Sequence, residues 1–155
     1  MPKLKRILAA IDFSAPSRQV VDVALDLARD SRAKLTLLYV VEPVDYATVG
    51  YLGGAPIATQ SILEEHLRAA RREMERLRKR KLGALPGAAA VVRIGRPADE
   101  IVRAGGKGRS NLIVVGTHGH SGVVHLLLGS VAERVVRRSS CPVLVVPARS
   151  SGKKR

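Results

Sequence analysis

The sequence predicts an α/β domain built on a mostly parallel sheet with helices on both faces, and three observations carry that prediction. Short runs rich in Val, Ile and Leu alternate with helix-length amphipathic segments along the chain. Glycine and proline punctuate the junctions between them. Hydrophobic residues make up 46% of 155 residues, enough for one core and too evenly spread for a disordered chain.

The elements follow in order. Lys5–Ile11 (KRILAAI) is an apolar run ending at Asp12, the pattern of a buried strand. Ser14-Ala15-Pro16 signals a helix start, with Ser14 as cap and Pro16 in the first turn. The apolar face of Val20, Val21, Ala24, Leu25, Leu27 and Ala28 carries that helix to about Asp30. Lys34–Val41 (KLTLLYVV) is the second strand, closed by Glu42-Pro43. Residues 44–60 hold Gly50, Gly53, Gly54 and Pro56 without a period, which predicts a long loop. From about Ser61, Leu63, Leu67, Ala70, Met74 and Leu77 share one helix face and leave the arginine-rich face in water.

Ala88–Ile94 is the third strand, and Pro97 opens a helix that runs to about Ala104 before Gly105, Gly106 and Gly108 end it. Asn111–Gly116 is the fourth strand, Val131–Arg138 a short helix after a long loop, and Cys141–Pro147 a final strand bracketed by prolines. Five strands separated by helices imply right-handed crossovers in an open sheet. The division expected is one domain over 1–148 and a basic flexible tail over 149–155.

Composition narrows the function. Apolar runs such as Leu112–Val115 and Val143–Val146 suit strands and are too short to cross a bilayer, so no membrane insertion is expected. The basic N-terminus precedes an apolar stretch that Asp12 soon breaks, unlike a signal peptide. A lone cysteine, Cys141, gives no disulfide framework and no Cys-rich metal site; a cytoplasmic location is expected. The balance of 27 Lys+Arg against 13 Asp+Glu, net +14, favours polyanions, with positives concentrated in Arg68–Lys81 and Arg149–Arg155. One Phe, three Tyr and no Trp leave little to stack on bases, which disfavours a single-strand nucleic-acid reader.

Ligands of open α/β sheets bind outside the carboxyl ends of the strands. Two loops there carry chemistry. Gly116-Thr117-His118-Gly119-His120-Ser121-Gly122 follows the fourth strand and leads to Gly129-Ser130 at a helix start. Glycines allow close approach or positive φ, and a helix start offers amides and a positive dipole to phosphate; the bland alternative is a tight turn. Neither GxxxxGK[ST] nor GxGxxG is present. Asp12, at the end of the first strand, suits a ribose, an adenine or a site near Mg²⁺, or else serves only as a turn and capping residue.

The spacing Gly-x2-Gly-x9-Gly-Ser at Gly116, Gly119, Gly129 and Ser130 resembles the ATP-binding signature of the universal stress protein family. ILAAIDFS (7–14), LTLLYVVEP (35–43), GRPADEIV (95–102), NLIVVGTHGHSG (111–122) and LLGSVAERVVRRSSCPVLVVP (127–147) are similar to that family's segments in the same order. The resemblance implies a Rossmann-like sheet of strand order 3-2-1-4-5 that holds ATP, with or without Mg²⁺. It implies Asp12 and Val40 around the adenosine, with Ala10 and Val115 supplying backbone or apolar contacts. Gly116, Gly119, Gly129, Ser130 and Val131 would hold ribose and phosphates, with His118 beside them. Ala10 replaces a proline often found there in ATP-binding members. A homodimer through strand 142–147 is implied as well.

His118, His120 and His125 lack Cys or acidic partners nearby in the sequence, the phosphate loop has no Lys, and nothing is placed to orient an attacking water. No catalytic residue is assigned. The leading expectation is an ATP-binding stress or regulatory protein whose occupancy modulates conformation or partner binding. The alternatives are a slow ATPase, and a basic module that binds nucleic acid or an acidic partner through 68–81 and the tail.

Overall fold

The computed structural model describes residues 3–43, 56–117 and 128–148, with backbone alone for 56–60. The tail 149–155, residues 44–55 of the predicted loop, and segment 118–127 with His118, Gly119, His120 and His125 lie outside the described residues.

Within them, β1 (Arg6–Ile11), α1 (Ala15–Ser31), β2 (Lys34–Val41), α2 (Pro56–Leu77), β3 (Ala89–Ile94), α3 (Pro97–Lys107), β4 (Leu112–Gly116), α4 (Ser130–Arg138) and β5 (Val143–Val146) follow one another. The five strands are all parallel in the order β3-β2-β1-β4-β5, the order that the family resemblance implies. β1 and β2 pair from Arg6 opposite Lys34 to Ile11 opposite Tyr39. Alternation along each strand divides the core between two faces. On one face, Ile7, Ala9, Leu35 and Leu37 pack with Val20, Ala24 and Leu25 of α1 and Met74 of α2. On the other, Leu8, Leu38, Ile113 and Val115 pack beneath Ile101 and Ala104 of α3 and Val135 of α4.

Two boundaries differ from the sequence expectation. α2 starts at Pro56, so residues 56–60 are helical and not loop. Proline's fixed φ suits a first helical turn, while the uncharged stretch Ile57–Gln60 gives no contrast of faces to reveal it. The same helix closes in a π-helical turn, Arg78–Leu82, that leaves Leu82 buried.

α3 does not stop near Ala104; it runs through Gly105 and Gly106 to Lys107, and Gly108 is its cap. Gly105 is a packing residue, because a Cβ there would stand 2.7 Å from Ile113 Cδ1 on β4. At the other end of α3, Gly95 has φ +145°, a conformation that side chains resist, and its Cβ would sit 2.9 Å from Glu100 Cγ. Glu100 is buried at 7% exposure and is paired with Arg93 at 3.4 Å and with Arg103.

Candidate functional site

The strand order reverses direction between β1 and β4, which opens a crevice at the carboxyl end of the sheet. A cavity of about 340 Å³ occupies it. Ala10 on β1 and Asp12 after it, Val40 on β2, Val115 and Gly116 on β4, and Gly129, Ser130 and Val131 at the start of α4 all line this one cavity. These are the sequence-predicted site residues that fall among the described ones; His118 and Gly119 lie outside them.

Each side of the cavity has a local cause. Asp12 folds the first loop upon itself. Its Oδ1 accepts the Ser14 N–H at 3.0 Å, the Ser14 hydroxyl at 2.5 Å and the Ser17 hydroxyl, while Ser17 Oγ accepts the Asp12 N–H at 3.0 Å. The loop holds Phe13 at φ 61°, in the left-handed region, with its ring 4.5 Å from that of Tyr39. Burial raises the Tyr39 phenol above its ordinary ionisation range, and the neighbouring Asp12 carboxylate adds to the rise.

The opposite side is built around α4. Thr117 N–H donates to the Val146 carbonyl at 3.0 Å, and Gly129 N–H donates to the Thr117 carbonyl at 2.8 Å. That second bond joins the two ends of the glycine-spaced segment. It turns the Gly129 amide toward Thr117. Gly129 is the N-cap without a side-chain cap bond, and the first backbone bond of α4 runs from Glu133 N–H to the Gly129 carbonyl. The amides of Ser130, Val131 and Ala132 thus precede the helix's own bonding and sit at its positive end. Among the described glycines only Gly87 and Gly95 have positive φ, and Gly129 has φ −59°. Neither Gly116 nor Gly129 is therefore called for by a left-handed backbone.

Residues the sequence reading missed complete the walls: Ser17, Leu38, Tyr39, Pro97, Ile101 and Thr117. Pro97 and Ile101 lie in GRPADEIV, a segment quoted for its resemblance but given no role in the site. Nothing in a single sequence says that one face of α3 reaches over to Val40. The cavity is apolar beside Leu38, Val40, Ile101 and Val115, and polar beside Asp12, Thr117 and Ser130. An apolar slot that ends in helix-start amides suits a flat heterocycle carrying an anionic group. Asp12 and Glu42 are the carboxylates on the lining. Among the described residues no group of three or more His, Cys, Asp or Glu is arranged to hold a metal ion, and no helix is long and apolar enough to cross a membrane.

The sequence pattern of the universal stress protein family matches residues 3–147. Universal stress protein MJ0531 of Methanocaldococcus jannaschii is 33% identical over 145 residues, which span 92% of this chain and 81% of that protein. The solved structure of MJ0577, a universal stress protein of the same organism, superposes with a TM-score of 0.81 at 25% identity, covering 96% of this chain and 99% of that one. A universal stress protein solved in complex with cAMP superposes with a TM-score of 0.59 at 25% identity, covering 93% and 97%.

Proposed function

Because this chain belongs to the universal stress protein family, we propose that the crevice between β1 and β4 binds an adenine nucleotide, ATP first among them, and that occupancy regulates the protein's conformation or partners. The observation that carries this reading is the junction of an apolar slot with the amides of Ser130, Val131 and Ala132 in one cavity. The base lies between Val40 and Ile101, the ribose meets Asp12, and the phosphates meet the start of α4. A similar fold in complex with cAMP supports the choice of an adenine nucleotide.

Mg²⁺, where it accompanies ATP, would meet Asp12 as the nearby carboxylate, whose Oδ1 already accepts from two serine hydroxyls. The protein acts as a homodimer through β5. This edge strand leaves Leu144 at 37% exposure, with Val131 and Val136 of α4 exposed at 38% and 45%.

Titration of labelled ATP against the wild type and a Gly129→Val/Ser130→Ala variant tests the site, with native mass spectrometry reporting co-purified nucleotide. Weakened binding in the variant is expected. Equal binding by both proteins would remove the site from α4. Turnover measured on the same samples separates a sensor, which holds ATP without net loss over many hours, from a slow ATPase.

A further inference from the structure

The same face of the sheet carries a second cavity, of about 420 Å³. α3 packs over β1 and β2, while Ala89, Val91 and Arg93 of edge strand β3 are only half-buried. The result is a groove between α3 and β3. Its floor is Thr36, Leu38 and Val91, and Leu38 also lines the crevice already described.

Four cations line this groove: Arg6 at the start of β1, Lys34 at the start of β2, Arg93 on β3 and Lys107 at the end of α3. They come from four separate elements, and no carboxylate is on the lining. Arg93 is neutralised by Glu100 at 3.4 Å. Arg6 is tethered by one N–H to the Gly108 carbonyl at 3.3 Å, which leaves its other guanidinium donors to spare. Arg6, Lys34 and Lys107 have no ion pair among the described residues, although most carboxylates of α2, α3 and α4 are paired with a neighbouring cation. Like charges gathered around one concavity repel one another and concentrate anions there.

We propose that this groove is a binding site for a small anion carrying two or more phosphate groups, separate from the nucleotide crevice. Arg6 supplies planar donors, Lys34 and Lys107 supply point charges on flexible stems, and the Ser110 hydroxyl completes a polar rim. The apolar floor accommodates the uncharged part of such a ligand.

The probe is tripolyphosphate, titrated into ¹⁵N-labelled full-length protein at fixed ionic strength and followed by amide chemical shifts. Saturable shifts at Thr36, Gly87, Lys107 and Ser110 are expected, with half-saturation at least tenfold lower than for orthophosphate. In Lys34→Gln/Lys107→Gln those shifts weaken at least tenfold, while any at Gly116 and Ser130 persist, so failure of this groove and failure of the nucleotide crevice are read separately. Retention of the groove shifts in the double variant overturns the proposal. So do small linear shifts spread over surface lysines and arginines, or citrate binding the same amides more tightly than tripolyphosphate.

Discussion

The two sides of the crevice between β1 and β4 are built on opposite principles. The Asp12 loop turns its polar groups inward, with one carboxylate oxygen receiving an amide and two serine hydroxyls. The Thr117–Gly129 side closes its neck with one backbone bond and leaves the next three amides of α4 ahead of the helix ladder. A loop that satisfies itself is rigid and presents shape. A helix start whose donors precede its own bonding presents charge. The contrast predicts that stability depends on the first side and the proposed nucleotide binding on the second.

The largest effect tests that division directly. Asp12→Ala leaves the nearly buried hydroxyls of Ser14 and Ser17 without their acceptor and should cost about 2 kcal/mol of stability, read by urea unfolding. An unchanged unfolding midpoint would mean that the loop does not depend on its carboxylate. Next comes Gly129→Val/Ser130→Ala, expected to weaken ATP binding about tenfold, or about 1.4 kcal/mol, while stability moves by less than about 1 kcal/mol. The φ of −59° at residue 129 is open to valine, so a collapse in stability would contradict the assignment of this side to binding.

Thr117→Val removes the acceptor of the Ala148 N–H, a 3.2 Å bond, and should cost about 1 kcal/mol in thermal unfolding. The smallest effect is electrostatic. Tyr39 ionises above 10 in the folded protein, so its contribution to stability is complete below pH 10 and lost as pH rises through the folded value. Asp12→Asn should move the phenol's ultraviolet titration back toward 10, since the carboxylate is the second cause of the rise. No movement would detach Tyr39 from the loop's charge.

Strands were legible in the sequence because burial on both faces writes itself as continuous apolar runs, and β2 begins and ends where the run Lys34–Val41 does. The start of α2 was not legible, since Pro56 reads as loop until the residues behind it are seen to wind. Gly105 was read as a helix end because its reason lies across space, in Ile113, and not along the chain. The site divides in the same way. Ala10, Asp12, Val40, Val115 and the α4 residues sit at strand ends or a helix start, positions that the fold class already marks. Pro97 and Ile101 arrive from a helix that crosses above, and Tyr39 lines the crevice beside Val40 without having been marked.

Gly105 and Ile101 lie one turn apart on the face of α3 that meets the sheet. The missing side chain at 105 lets the helix settle against Ile113, while Ile101 of the same helix lines the crevice with Val40. A larger residue at 105 is therefore expected to displace α3, and Ile101 with it, from outside the crevice. A methyl added at 105 would act as a shim under α3, so the crevice has a tuning point that an inspection of its walls alone would pass over.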